Sequence, residues 1–227
     1  MKTPRMEAQV LVMAKSPRPG QVKTRLCPPL SHATAAVVAR AALMDTLDSV
    51  VAAGPSRATV VLDGAAGSWL RSGVHVISQR SGPFADRLEG AIEDAFSAFP
   101  APILLVGMDT PQMAPDHLVT AAKTLLSVDT DSILGRADDG GFWIIGIHQP
   151  VAGLCKGVPM STATTGARQL AQLSALGLRC IEVNSLRDVD LIEDALAVAA
   201  SAPRSRFAAV LRSCGAIPSV KVPVGVA

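Results

Sequence analysis

The sequence predicts an α/β protein in which helices cover a mostly parallel sheet. Short apolar runs alternate along the chain with longer segments of helical periodicity. Two of the runs, 10–14 and 103–107, are apolar at nearly every position, as in strands that are buried on both faces. Hydrophobic residues make up 49% of the chain and charged residues 18%, so that the chain has enough apolar material for one ample core.

The predicted elements follow one another in a regular order. After the strand at 10–14 comes a polar loop, 15–29, and then a long helix that Ser31 caps and that Gly54 and Pro55 end. The next predicted elements are a strand at 58–62, a short helix around Trp69, a strand at 74–78, a helix at 84–99, a strand at 103–107 and a helix at 115–126. They are followed by strands at 132–135 and 142–147, a helix at 164–176, a strand at 179–183 and a helix at 190–200.

The pattern contains no internal repeat and no linker that would divide the chain. We therefore expect one domain over residues 1–202 and a C-terminal appendage over residues 203–227. The appendage has a short basic amphipathic segment with Arg204, Arg206 and Arg212, followed by a tail rich in Pro, Val and Gly. Self-association through this tail is one expected use of it.

Composition excludes several classes of function. A net charge of +2 with 3% aromatic residues does not favour binding to nucleic acid. The four cysteines form no Cys-x-x-Cys pair and have no histidine at zinc-ligand spacing, which favours reduced thiols in the cytosol. No apolar run has the length of a signal-peptide core or of a membrane span, so the expected location is the cytoplasm. The histidines show no arrangement typical of a hydrolytic triad.

The loop after the first strand is rich in cations. Four of them, Lys15, Arg18, Lys23 and Arg25, stand in eleven positions around Gly20. Phosphate groups are bound by cationic side chains and by exposed backbone N–H groups at a strand–loop–helix turn. The loop matches neither the dinucleotide fingerprint nor the P-loop pattern. By composition alone it is as consistent with a solvated surface loop as with a phosphate-binding loop.

Acidic residues follow two of the predicted strands. Asp109 ends the apolar run 103–107, where a hard oxygen ligand suits Mg²⁺ or Mn²⁺ on nucleotide phosphates or where an Asp can cap the next turn. Asp188 and Asp190 follow the last strand, and Asp190 with Glu193 has the spacing of a helix N-cap and capping box. A third acidic segment, 138–141, is typical of a tight hairpin turn.

Six segments together resemble the bacterial family DUF2064, which is usually labelled glycosyltransferase-A-like. They are 12–26, 87–88, 107–111, 139–146, 160–162 and 188–190, and they occur in the expected order over residues 8–200. The resemblance implies the GT-A fold, a three-layer α/β/α sandwich that binds nucleotides. One departure is that only Asp109 is acidic where sugar transferases of this fold often carry Asp-x-Asp.

The resemblance also implies roles for particular residues. The implied nucleotide-binding residues are Lys15, Arg18, Gly20, Lys23 and Arg25. The implied metal ligands are Asp109 and Asp190, with Asp188 in support. The implied substrate-binding residues are Asp139, Gly140, Gly141, Ser161 and Thr162.

Three functional hypotheses follow. The first is a transferase that uses Mg²⁺ or Mn²⁺ and a nucleotide-sugar, with Asp109, Lys23, Arg25 and Asp139 as catalytic residues and a small molecule as acceptor. The second is a nucleotidyltransferase that joins an NTP to a phosphorylated acceptor and releases pyrophosphate. Its support is the segment 23–26, which resembles a loop of the guanylyltransferases that build a deazaflavin cofactor, and the absence of Asp-x-Asp. The third is a non-catalytic nucleotide-binding or scaffold protein.

Overall fold

A computed structural model of the chain describes residues 6–216. Its strands are β1 Gln9–Lys15, β2 Ala58–Asp63, β3 His75–Ser78, β4 Ile103–Gly107, β5 Ser132–Ala137, β6 Phe142–Ile147 and β7 Cys180–Leu186. Its α-helices are α1 His32–Ala53, α2 Phe84–Ala98, α3 Pro115–Leu125, α4 Thr165–Ala175, α5 Ile192–Ser201 and α6 Arg206–Ser213. Ser31 caps α1, and Gly54 ends it in the left-handed conformation, as the sequence predicts.

The strands form one sheet in the order β3-β2-β1-β4-β6-β5-β7. Only β6 runs against the others among the described strands, because it pairs antiparallel with both β4 and β5. The prediction of a mostly parallel sheet is confirmed. The carboxyl ends of the six parallel strands, and the turn between β5 and β6, consequently lie at the same edge of the sheet.

Helices cover both faces of this sheet, as the alternation along β1 illustrates. Val10 and Val12 pack in a cluster with residues of α1 and α3 on one face. Leu11 and Met13 pack in a second cluster with residues of α2 and α4 on the other face. The predicted three-layer α/β/α sandwich is therefore confirmed.

A third hydrophobic cluster lies on the outer side of α1, away from the sheet. There Val38 of α1 packs with residues of α5 and with Phe207 and Leu211 of α6, which are fully buried. The carboxylate of Asp45 on α1 accepts a hydrogen bond of 2.8 Å from the backbone N–H of Phe207 and forms an ion pair of 3.1 Å with Arg206. The domain boundary expected at residue 202 thus falls between two helices that share one cluster, and residues 217–227 of the expected appendage lie outside the described residues.

One predicted element is wrong. The segment around Trp69 is a turn, closed by a hydrogen bond from the N–H of Leu70 to the carbonyl of Gly67, and not a helix. Its apolar character has another cause, because Trp69 is 5% exposed and packs in the cluster between the sheet and α1. In the part of the chain that the structure describes, no helix is long and apolar enough to cross a membrane.

Candidate functional site

The candidate site lies where the strand order reverses direction, between β1 and β4. In open α/β sheets this switch point leaves a crevice outside the carboxyl ends of the two strands. The basic loop follows β1, and Asp109 follows β4, so that both predicted groups flank the crevice. The turn 138–141 and the segment 187–190 after β7 lie at the same edge.

Lys23 connects these segments. Its ammonium lies 2.7 Å from Oδ1 of Asp109 and also donates a hydrogen bond to the carbonyl of Val189. The side chain is only 7% exposed, and its backbone adopts the left-handed conformation with φ of 49°. The N–H of Val189 in turn donates to the carbonyl of Asp109 at 2.9 Å. The basic loop, the end of β4 and the segment after β7 are therefore joined at one point.

The other residues of the basic loop divide into two groups. Arg25 forms an ion pair with Asp190, and Lys15 lies 3.8 Å from Asp63 at the end of β2. Arg18 is exposed in a turn that is closed by the N–H of Gln21, and Gly20 gives that turn its φ of 73°. The structure brings Lys23 and Arg25 to the acidic residues, and it places Arg18 and Gly20 away from them.

A cavity of about 260 Å³ lies between the basic loop and the ends of β1 and β4. We call it the basic compartment. It is lined by Lys15, Gln21, Val22, Lys23, Thr24, Arg25, Met108, Asp109 and Asp190. Three cationic side chains and two carboxylates thus surround one cavity, which makes it suited to an anionic group.

A larger cavity of about 490 Å³ adjoins the basic compartment. We call it the acidic cavity, because Asp109, Asp139, Asp188 and Asp190 line it. Ser161 and Thr162 also line it, together with a group of apolar side chains. The two cavities share Arg25, Asp109 and Asp190, so that a ligand could extend from one into the other.

The carboxyl of Asp188, in the acidic cavity, has a strongly raised pKa. Burial, and then the negative charges of Asp109 and Asp139, raise the pKa of its carboxyl to about 8. Within residues 6–216, its side chain has no hydrogen bond or ion pair, and the positive charge of Lys23 offsets these effects only in part. The carboxyl is therefore largely protonated near neutral pH, and a cation placed beside it would favour its charged form.

The turn between β5 and β6 is shaped by packing as well as by its charges. Oδ1 of Asp139 accepts a hydrogen bond of 2.8 Å from the N–H of Gly141. Gly140 has a φ of 90°, and a Cβ at this position would lie 2.0 Å from the carbonyl oxygen of Ala163. The family resemblance implies that Gly140 binds the substrate, whereas in the structure the absence of a side chain at Gly140 lets the segment before α4 approach. Gly141 and Asp139 line the acidic cavity, and Gly140 does not.

The interpretation of Asp190 as a helix N-cap is wrong. The helix α5 begins at Ile192, and Leu191 is its N-cap residue. The carboxylate of Asp194, and not that of Glu193, accepts hydrogen bonds from the N–H groups of Leu191 and Asp190, at 2.9 and 3.3 Å. The side chain of Asp190 is consequently free to pair with Arg25.

The residues at this edge of the sheet offer carboxylate ligands to a divalent cation, but too few to enclose it. Carboxylate oxygens are the ligands that Mg²⁺ and Mn²⁺ prefer, and Asp109 and Asp188 present them side by side. No group of three or more His, Cys, Asp or Glu among residues 6–216 is arranged to enclose a metal ion. These residues fit an ion that takes one or two carboxylates from the protein and its remaining ligands from phosphates and water.

Several residues of the site were not predicted. Asp63 lies near Lys15, and Gln79 donates to the carbonyls of Ala14 and Val61 while it accepts a hydrogen bond of 2.8 Å from Arg87. The apolar wall of the acidic cavity, which includes Phe84 and Leu88, was also missed. The sequence assigned Leu88 only to a helix and to a segment of the family resemblance, and no pattern distinguishes a core side chain from one that also lines a cavity.

Comparison with known families identifies the group to which the sequence is similar. Residues 37–162 match the model of a family described as an uncharacterized protein conserved in bacteria, DUF2064. The match covers more than half of the chain and includes most of α1, Asp109, the turn 138–141 and Ser161. Among curated protein sequences, none matches the chain.

Solved structures of several transferases resemble this one. A protein from Desulfovibrio desulfuricans G20, provisionally named a nucleotide-diphospho-sugar transferase, has a TM-score of 0.82 at 23% identity, over 92% of this chain and 96% of that protein. A nucleotidyl transferase from Methanothermobacter has a TM-score of 0.57 at 16% identity, over 91% and 99%. A CMP:2-keto-3-deoxy-manno-octonic acid synthetase in complex with CTP has a TM-score of 0.53 at 14% identity, over 87% and 99%. At these identities the likeness establishes the GT-A-type fold.

Proposed function

The chain belongs to the bacterial family DUF2064, and we propose that it is a metal-dependent transferase that takes a glycosyl group from a nucleotide-sugar. One observation carries the proposal: the ammonium of Lys23 lies 2.7 Å from the carboxylate of Asp109, at the switch point of the sheet. A cation and a carboxylate held together at this position can bind the phosphates of a nucleotide and the metal ion that accompanies them. The provisional name of the D. desulfuricans protein agrees with this proposal.

In the proposed complex the basic compartment holds the diphosphate of the donor. Lys15, Lys23 and Arg25 supply the cationic groups, and their charges stabilise the nucleoside diphosphate as it leaves. Lys23 is already fixed by two partners, so little conformational entropy is lost when it meets a phosphate. Arg18 and Gly20, which the sequence also assigned to the nucleotide, would act only through the shape of the loop.

Asp109 and Asp188 would hold the Mg²⁺ or Mn²⁺ ion. The sequence favoured Asp190 over Asp188, but Asp190 pairs with Arg25, while Asp188 has a raised pKa that a nearby cation would lower. When bound, the ion would neutralise the charge of the diphosphate and thereby make it a better leaving group.

Asp139 is the proposed general base. Its carboxylate lines the acidic cavity next to the metal-binding residues, where the hydroxyl group of an acceptor would lie. A carboxylate in this position can take the proton of the hydroxyl as the new bond forms. The hydrogen bond from Gly141 fixes its orientation. Ser161 and Thr162, which also line the cavity, would contact the sugar or the acceptor.

Nucleotidyl transfer is the second candidate. It is favoured by the single acidic residue at the end of β4 and by the likeness of the fold to a nucleotidyl transferase and to a synthetase in complex with CTP. It would need a site for a phosphorylated acceptor. Of the residues that line the acidic cavity, Arg25 is the one cation, and it is paired with Asp190, which favours glycosyl transfer.

A panel of nucleotide-sugars and NTPs, each with and without Mg²⁺ or Mn²⁺, tests the proposal by thermal shift. A ligand at about 100 times its Kd adds about 2.7 kcal/mol to the free energy of unfolding, which raises Tm by about 5–10 °C. Metal-dependent stabilisation by a nucleotide-sugar, with release of a nucleoside diphosphate on turnover, supports glycosyl transfer. Stabilisation by an NTP with release of pyrophosphate supports the second candidate. If none of the ligands binds, both candidates are wrong and a scaffold function remains.

A further inference from the structure

The acidic cavity has an apolar wall that the proposed binding of the donor does not use. Leu88 of α2 and Leu105 of β4 belong to the cluster on that face of the sheet, and Met160 packs against it from the segment before α4. Phe84, the first residue of α2, is 39% exposed. These four apolar side chains line the cavity together with its four aspartates. A wall of this kind favours an apolar body of a ligand, because its burial removes apolar surface from water.

The ionisable side chains that line the cavity are mostly acidic. Four aspartates line it, and Arg25 is the one cationic side chain among the described lining residues. Arg25 is paired with Asp190, and Lys23, which lies just outside the cavity, is paired with Asp109, so that these two cations and two carboxylates balance one another. Asp139 has no cationic partner among the described residues, and a phosphate or carboxylate group in this cavity would therefore meet its negative charge and no unpaired cation of the protein.

From the apolar wall and from the lack of an unpaired cation among the described lining residues, we infer that the acceptor is an uncharged alcohol with an apolar body, and not a phosphorylated compound. This inference rests on the proposed function, since it assigns the acceptor of that reaction. The hydroxyl group lies among the carboxylates, which accept hydrogen bonds from it, and the apolar body lies against Phe84, Leu88, Leu105 and Met160. An alcohol can interact favourably with both the carboxylates and the apolar wall, whereas a phosphate ester can do so only with the apolar wall.

The transfer step is balanced with the groups already described. The hydroxyl oxygen of the acceptor forms a bond to the anomeric carbon of the donor sugar, and its proton passes to Asp139. The bond between that carbon and the phosphate oxygen breaks, and the nucleoside diphosphate leaves with the electron pair. No oxidant, reductant or further co-reactant is needed.

A matched pair of probes tests the inference: 4-phenyl-1-butanol and its phosphate monoester. The chain has two Trp residues, and Trp143 lines the cavity while Trp69 does not. In a Trp69→Phe variant the fluorescence of Trp143 therefore reports binding. Without a divalent cation, so that no metal ion at Asp109 and Asp188 can bind the phosphate, we expect the alcohol to bind at least about tenfold more tightly than its phosphate ester. Equal or tighter binding of the ester would overturn the inference.

Two further variants test whether the probes contact the apolar wall and the carboxylates of this cavity. Phe84→Ser should weaken binding of the alcohol about fivefold, while the control Leu126→Ser, at a residue of similar exposure outside the cavity, should leave it unchanged. Asp139→Asn keeps an oxygen acceptor for the N–H of Gly141 but removes one charge. It should reduce the preference for the alcohol over the phosphate ester several-fold. If neither variant has its effect while the control behaves as expected, the probes do not occupy this cavity and the inference is wrong.

A binding experiment on the same Trp69→Phe protein distinguishes failure of this inference from failure of the proposed function. Binding of a nucleotide-sugar depends on the basic compartment and is measured by calorimetry in the absence of either probe. If the donor binds but the phosphate ester is preferred, the inference fails and the proposed function stands. If no donor binds, the proposed function fails, and the inference that depends on it fails with it.

Discussion

The basic compartment and the acidic cavity are adjacent, but the chain builds them in different ways. Most residues of the basic compartment come from one segment, 15–25, which is a loop directly after a strand. The acidic cavity takes its residues from segments that are far apart along the chain, among them 84–88, 139–143, 160–165 and 188–190. Asp109 and Arg25 belong to both. A compartment built from one segment leaves a motif in the sequence, whereas a cavity built from many segments leaves only scattered residues.

The largest expected effect concerns the residue that joins the two regions. We expect Lys23→Ala to lower transferase activity about 100- to 1000-fold, because it removes a fixed cation from the point where charge develops on the leaving nucleotide. Lys123→Ala, at an exposed position in α3, is the matched control and should keep full activity. Initial rates with a saturating donor measure the effect. Wild-type rates in the Lys23→Ala variant would show that the two regions do not act together.

Two glycines, one in the turn 138–141 and one in the basic loop, distinguish the cost of a steric clash from the cost of a positive φ. Gly140→Ala should lower the free energy of unfolding by about 3 kcal/mol or more, because it adds a clash with Ala163 to an unfavourable φ. Gly20 in the basic loop also has a positive φ but nothing within 4 Å, so that Gly20→Ala should cost only about 1 kcal/mol. Urea unfolding measures both variants. Similar costs for the two would mean that the turn 138–141 is not packed against the segment before α4.

The acidic cavity should also determine how stability depends on pH. The pKa of Asp188 is about 8 in the folded protein and near 3.8 when the chain is unfolded, so that the folded state binds the extra proton between these values. The contribution of this group to stability is therefore fully present below about pH 4 and is lost as the pH rises through about 8. In Asp188→Asn this decline should be smaller, by roughly 4 kcal/mol between pH 5 and 9.

Thermal unfolding of both proteins across this pH range measures the difference. Mg²⁺ at high pH should restore stability to the wild type and have less effect on the variant, because the charged carboxylate is the form that binds a cation. Parallel pH profiles for the two proteins would contradict a raised pKa at Asp188.

The smallest expected effect concerns the ion pair between the two regions. Arg25 and Asp190 are 64% and 41% exposed, so that Arg25→Gln should change the free energy of unfolding by about 0.5 kcal/mol or less. The same variant should weaken donor binding about tenfold, since a cationic hydrogen-bond donor to phosphate is lost. Urea unfolding and calorimetry measure the two quantities. A large loss of stability with unchanged donor affinity would make the pair structural.

The comparison also explains what could be predicted from the sequence. The parallel sheet, the long helix α1 with its caps and the basic loop depend on local patterns of few residues, and those patterns were sufficient. The sequence predicts a helix at Trp69 because the residue is apolar. In the structure Trp69 lies in a turn and packs in the cluster between the sheet and α1. The pairing of Asp190 with Arg25 and the capping by Asp194 depend on where α5 begins, which the sequence placed two residues too early.

The acidic residues show most clearly which features of the site the sequence does not encode. Asp109, Asp139 and Asp188 were each identified, but their relative roles depend on distances and burial that no spacing in the sequence encodes. Asp188 differs from Asp190 because burial raises its pKa and because no cation is paired with it among the described residues. In the same way, Phe84 and Leu88 have the periodicity of any buried helix face, and only the fold places them in the wall of a cavity.

The most direct test of the central claim is calorimetric titration of a nucleotide-sugar into three proteins, with and without Mg²⁺. The proteins are the wild type, Asp109→Asn and the control Asp116→Asn, whose residue is exposed on α3 away from both cavities. We predict that Mg²⁺ strengthens binding at least about tenfold in the wild type and in Asp116→Asn, and that Asp109→Asn loses this dependence. The same dependence on Mg²⁺ in all three proteins would contradict the claim that Asp109 joins the donor and its metal ion at the switch point of the sheet.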